Sequence, residues 1–183
     1  FIYEVTVVSA YPESYQLAIQ LQAVVTQVCC TIMYDHEASD LHAEMYLMIG
    51  HLYGILGNYE AAHEFIDLAL VFRNDLPDNH ISVSRTKSFL GIAKQNLGMY
   101  SEACDLFLEA LKQRQHLVKN GEQLDLGPDY HNLANALESL GRYEESLPYA
   151  LKSLELAKAQ TYTLPVQFSR IYRQLSRICG AKG

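Results

Sequence analysis

The sequence contains no tryptophan and only five prolines and ten glycines in 183 residues, and just 19% of its residues are charged. So few chain breakers exclude a collagen-like or low-complexity chain, and a hydrophobic share of 49% excludes a disordered one. Basic residues are the scarcer sign, with 14 Lys and Arg against 21 Asp and Glu and a formal charge of -7. That balance argues against a general nucleic-acid binder, which needs a basic footprint for the phosphate backbone. Four cysteines, Cys29, Cys30, Cys104 and Cys179, share no zinc-site spacing and are too few for a disulfide scaffold. They read as buried filler, reduced, in a cytoplasmic protein. The adjacent Cys29 and Cys30 would point about 100° apart on a helix, which suits packing better than shared chemistry.

Long apolar runs are missing too. The most apolar stretch, "LAIQLQAVVTQVCCTIM" from Leu17 to Met33, contains three glutamines and two threonines. A membrane span needs about 20 mainly apolar residues, so no membrane insertion is expected and the run reads as a buried helix. No N-terminal leader pattern is visible, and opening on Phe1 is what a piece of a longer chain would show. Catalytic motifs are equally scarce. None of the seven histidines stands in an HExxH arrangement; "HEFID" at His63 puts an aspartate where the second histidine belongs. There is no glycine-rich phosphate loop, nucleophile elbow or dinucleotide fingerprint. His36–Glu37 and His63–Glu64 read as solvated helix pairs. No enzyme and no cofactor or metal is expected.

What the chain does have is one phrase said three times: "GNYEAAHEFIDLAL" from Gly57, "GMYSEACDLFLEAL" from Gly98 and "GRYEESLPYALKSL" from Gly141. The steps are 41 and 43 residues. Upstream, Gly50, Gly91 and Ala134 each follow a branched apolar residue (Ile49, Leu90, Leu133) and keep the same steps, and Leu175–Ser176 continues them. A period near 42 residues marks a repeat array, which has to be recognised before any other fold is considered. Each unit reads as two helices around the second glycine. Tyr46, Ile49, Gly50 and Tyr53 share one helical face in the first. Tyr59, Ala62, Ile66, Ala69 and Leu70 share one in the second, and the same places hold Tyr100, Ala103, Phe107, Ala110 and Leu111, then Tyr143, Ser146, Ala150, Ser153 and Leu154. Small residues at Gly50, Gly91, Ala134, Ala62 and Ala103 let helices approach closely, so Ala62 and Ala103 are expected to be fully buried. One such pair cannot cover its apolar stripe alone, whereas stacked pairs can.

These residues resemble the tetratricopeptide repeat family, whose standard unit has about 34 residues. The extra residues here fall in "RNDLPDNHIS" and "KNGEQLDLGPD". With the step near 42, the "PDNH" joint and Pro148 inside a second helix, the chain is similar to the kinesin-light-chain subtype. An interior proline ordinarily costs about 3 kcal/mol. The departures are Lys87 and Lys94 at aromatic or apolar places, and Ser146 and Ser153 at alanine places. The segment before residue 40 fits half the pattern: Tyr15, Ala18 and Val25 match a second helix, while the β-branched "FIYEVTVVSA" is read as the tail of a preceding one. The resemblance implies an all-α, right-handed solenoid of antiparallel helix pairs. A partial repeat or capping helices would occupy 1–40, with repeats at 41–82, 83–125 and 126–163 and the first helix of a fourth at 164–183.

In that family the first helix of each pair lines the concave groove. Carried onto this sequence, the groove places include Glu44, Leu47, Met48, His51 and Ile55 in the first unit. The second contributes Arg85, Ser88, Phe89, Ile92, Gln95 and Asn96. The third contributes His131, Asn132, Asn135, Glu138 and Ser139, and the fourth Arg170, Arg173, Gln174 and Arg177. The amides of Gln95, Asn96, Asn132 and Asn135 can each donate and accept, as a peptide backbone requires; the alternative is a merely polar surface. Arg170, Arg173 and Arg177 share one helix face and could recognise carboxylates through paired hydrogen bonds. Otherwise they pair with neighbouring glutamates. The resemblance thus implies a non-catalytic adaptor holding an extended, acidic peptide or a partner helix. The alternative is a sensory or regulatory module of a larger signalling protein.

Overall fold

The computed structural model describes residues 39–73, 76, 80–160 and 165–181, together with Gln16, Ile19, Gln20, Ala23 and Gln27. The chain divides into two compact units, 1–77 and 78–183. All regular structure among the described residues is helical. The reading of "FIYEVTVVSA", the helix-face places Tyr15, Ala18 and Val25, and Cys29, Cys30, His36 and Glu37 lie outside the described residues. In the Leu17–Met33 run, Ile19, Gln20, Ala23 and Gln27 are helical, but all four are exposed rather than buried.

The first unit contains α1 (Ser39–Ile55) packed on α2 (Tyr59–Phe72). Glycine makes their close approach possible. A Cβ on Gly50 would stand 2.5 Å from Ile66 Cγ1 and 3.0 Å from the Ala62 carbonyl oxygen. Ala62, Ile66 and Ala69 are buried on the facing stripe. Around them Tyr46 stacks on Phe65 and Phe72, and Tyr53 on Phe65. Arg73, the residue that ends α2, has a fully buried side chain. It reaches back to α1, donating to Asp40 at 3.0 Å and to Glu44 at 2.6 Å.

The second unit stacks two and a half such pairs: α3 (Ile81–Asn96) with α4 (Tyr100–Lys119), α5 (Gly127–Ser139) with α6 (Tyr143–Ala159), and α7 (Pro165–Gly180) against α6. The same grammar recurs with different letters. A Cβ on Gly91 would meet the Phe107 ring at 2.7 Å, and Ala103 is fully buried as expected. Ala103, Cys104, Phe107, Leu111, Leu133, Ala136 and Leu137 make one core; Ala134, Ala150 and Ile178 make the next. The sequence's departures from the pattern find partners. Lys87 and Lys94 lay their stems against the protein and pair with Glu109 at 3.0 Å and Glu102 at 2.7 Å on α4. Ser146 and Ser153 are buried, and their hydroxyls donate to the carbonyls of Ala134 (2.7 Å) and Gly127 (3.0 Å) on α5. Each serine therefore adds a hydrogen bond between helices where alanine would only fill space.

Each turn inside a pair is built the same way. Gly57, Gly98 and Gly141 adopt φ of 81°, 80° and 72°, a region costly for any side chain. The amide of each glycine returns to the carbonyl three residues back, and the next amide to the carbonyl five back, as in Asn58 to Tyr53 (3.0 Å). This is the paired closure by which a left-handed residue ends a helix. It explains why the repeated phrase starts with glycine.

Candidate functional site

Within the second unit, α3, α5 and α7 are the first helices of successive pairs, and α5 touches both of the others. These three helices carry most of the residues expected to bind a ligand. The start of α5 is fixed locally: Asp125 Oδ1 accepts from the Gly127 amide at 2.8 Å, and Pro128 occupies the first turn, where its missing N–H is not needed. Asp129 follows, buried, and ties three helices together. Arg114 of α4 donates to it at 3.1 Å, and Ser88 of α3 lies 3.5 Å away. Burial outweighs the arginine and pushes the Asp129 carboxyl up to about 6; Asp125 adds to the rise.

On the other side, α5 meets α7 through two contacts. Gln174, which is fully buried, donates to the His131 carbonyl at 3.3 Å. Arg177 grips Glu138 with two nitrogens, at 2.5 and 3.2 Å. Between α5, α6 and α7 opens a cavity of about 270 Å³, lined by His131, Asn132, Gln160, Gln167, Arg170 and Ile171 among others. Burial, and then the charge of Arg170, lowers the His131 pKa, so the ring is neutral at pH 7. Arg170 itself is exposed and has no carboxylate partner among the described residues.

Several expected groove residues sit elsewhere. Leu47 is buried, because on α1 it belongs to the packing stripe. Glu44 serves the buried Arg73, and Gln174 is a core residue that bridges α5 and α7. Arg177 is paired with Glu138 and so is not a free cation. Of the others, Arg85, Asn96 and Arg173 are exposed, while Ser88, Gln95, His131, Asn132 and Asn135 are half-buried. The Asn96 amide donates to the Ile92 carbonyl at 2.8 Å, and the Ser88 hydroxyl to Ser84 at 3.2 Å. Met48, His51 and Ile55 are exposed on α1 of the first unit. Sequence reasoning missed Gln160 and Gln167 as lining residues, since they flank the α6–α7 connection and not a groove place. It also missed Asp125 and Asp129, which stand in "KNGEQLDLGPD", a stretch read only as the extra residues of the unit.

Family models of the tetratricopeptide repeat match residues 43–70 and 82–159. The chain belongs to the tetratricopeptide repeat family. No curated protein matches it. Among solved structures it is similar to a kinesin-light-chain-like protein of Podosopora anserina with nearly identical TPR-like repeats, at 17% identity and a TM-score of 0.73 over 99% of this chain and 85% of that one. BtubC (BKLC) from P. vanneervenii matches at 22% identity and a TM-score of 0.70, over 98% and 83%. A TPR-like protein of Chlorobium tepidum matches at 18% and 0.67, over 81% and 99%. These likenesses show an all-α tetratricopeptide fold. The fold is that of a repeat scaffold of the kind that usually mediates contacts between proteins and is typically not catalytic. Among the described residues no helix is long and apolar enough to cross a membrane.

Proposed function

We propose that this tetratricopeptide array is a non-catalytic adaptor whose α3–α5–α7 face holds an extended peptide carrying an acidic residue. The observation behind this reading is Arg170, a cation without a carboxylate partner among the described residues, lining the same cavity as the Asn132 amide. Asn132 and Asn135, with Gln95 and Asn96 on α3, offer donors and acceptors to the peptide backbone. Arg170, flanked by the exposed Arg173, takes the acid. Nothing in the reading calls for nucleic acid, and the charge of -7 opposes it.

The test is selection of displayed decapeptides on the whole chain, followed by titration of a selected peptide against variants at low and high salt. Arg170→Ala should weaken binding roughly tenfold, the worth of one charge-assisted contact, and flatten the salt dependence. Asn135→Ala should weaken binding at both salts, and Arg173→Ala should act mainly at low salt. Arg170 variants that bind like the parent at both salts would place the ligand elsewhere.

A further inference from the structure

The Arg177–Glu138 pair joins two residues that an acidic ligand would regard very differently. Glu138 is nearly covered, with 12% of its side chain exposed, whereas Arg177 keeps 52% exposed and gives two nitrogens to the glutamate. That two-pronged geometry is how a guanidinium would hold a ligand's carboxylate. Farther up the same helix Arg170 has no such partner among the described residues. Seven residues separate the two arginines, which places them within about 20° of one helix face and roughly 10 Å apart along the axis. A peptide in extended polyproline-II form returns to the same edge every third residue, after roughly 9 Å. Two acids three residues apart therefore match the spacing of the two arginines.

We propose that Glu138 is an internal stand-in for a ligand acid: it fills Arg177 and leaves Arg170 as the anchor, so the site rewards one carboxylate and not a second one three residues along. This rests on the peptide-binding reading above. Glu138 is thereby a specificity-determining residue, and it acts by occupying a cation. The neighbourhood supports this assignment. Elsewhere on α5, His131, Asn132 and Asn135 offer no carboxylate to compete for Arg177, whose partner is Glu138. From the loop before α5, Asp125 has one oxygen committed to the Gly127 amide, and in the first turn of α5 Asp129 is held by Arg114.

The test uses two synthetic decapeptides in an alanine–threonine–asparagine background, one with a single Asp and one with Asp at positions three apart. Each is titrated against the whole chain as wild type, Glu138→Gln and Arg170→Ala. Wild type should bind both peptides within about twofold of each other. Glu138→Gln should bind the two-acid peptide at least threefold tighter than wild type does, leave the single-acid peptide nearly unchanged, and show the steeper salt dependence. A circular-dichroism melt of Glu138→Gln confirms that α7 is still docked. If wild type binds in an Arg170-dependent way but Glu138→Gln leaves the ratio at its wild-type value, this inference fails and the peptide-binding reading stands. No binding of either peptide to any variant overturns both.

Discussion

Two glycines on first helices look alike in sequence and differ in what surrounds them. Gly91 presses on the Phe107 ring, which is buried among Ala103, Leu111 and Leu133 and has nowhere to move. At Gly54 the nearest atom to an added Cβ is the Ala62 methyl at 3.9 Å, an ordinary contact. Replacing a helical glycine by alanine gains up to about 1 kcal/mol in propensity, whereas overpacking a core costs about 1–3 kcal/mol. Gly54→Ala should therefore raise the melting temperature and Gly91→Ala should lower it. Two shifts of the same sign in a thermal melt would contradict the packing described for one of the two sites. The residues that depart from the repeat follow the same logic. Lys87 and Lys94 stand where apolar residues were expected, yet each has a glutamate one helix away, and that partner is invisible in a single register of the sequence.

At the scale of elements, α5 is the best-connected helix of the second unit, and its first turn holds a buried carboxylate. Asp129 is raised from 3.8 to about 6, with burial outweighing Arg114. The folded state then binds the proton more tightly than the unfolded chain does. The resulting stability is fully present below the ordinary carboxylate range and is lost as pH rises through about 6. A shift of this size corresponds to about 2–3 kcal/mol. Asp129→Asn removes the titration, so between pH 3.8 and about 6 the wild type should lose stability that the variant keeps. Urea midpoints measured across that range check it, and parallel curves for the two proteins would show that Asp129 is not the group responsible. Arg73 illustrates a related trade within the first unit: its charge leaves water completely, and Asp40 and Glu44 at 3.0 and 2.6 Å compensate it.

For the whole molecule, the second unit carries two core clusters of its own, built from residues of α4 to α7 that lie entirely within it. Repeat arrays draw their stability from neighbouring units and not from long-range contacts. Residues 78–183 alone should therefore be helical and melt cooperatively, as circular dichroism would report. A non-cooperative, largely unfolded fragment would mean that these cores need the first unit. The proposed binding face belongs to the same stretch, so a fragment that folds should also keep the Arg170-dependent peptide binding of the whole chain.

The helix pairs, their turns and the small residues at their crossings were legible in the sequence, because each depends on local rules. A left-handed turn calls for glycine, a close crossing for a small side chain, and a buried stripe for helical periodicity, and all of these repeat at one step. The proposed ligand face was legible only as a set of candidate places. Which arginine is paired depends on a neighbour 39 residues away: Glu138 on α5 takes Arg177 on α7, while Arg170 and Arg173 have no carboxylate partner among the described residues. Leu47, Glu44 and Gln174 left the candidate set for the same reason, claimed by core packing or by partners on other helices. Periodicity assigns a residue to a face. Only the packed structure decides whether its charge or amide is already spent, because that depends on distances of a few ångströms between helices.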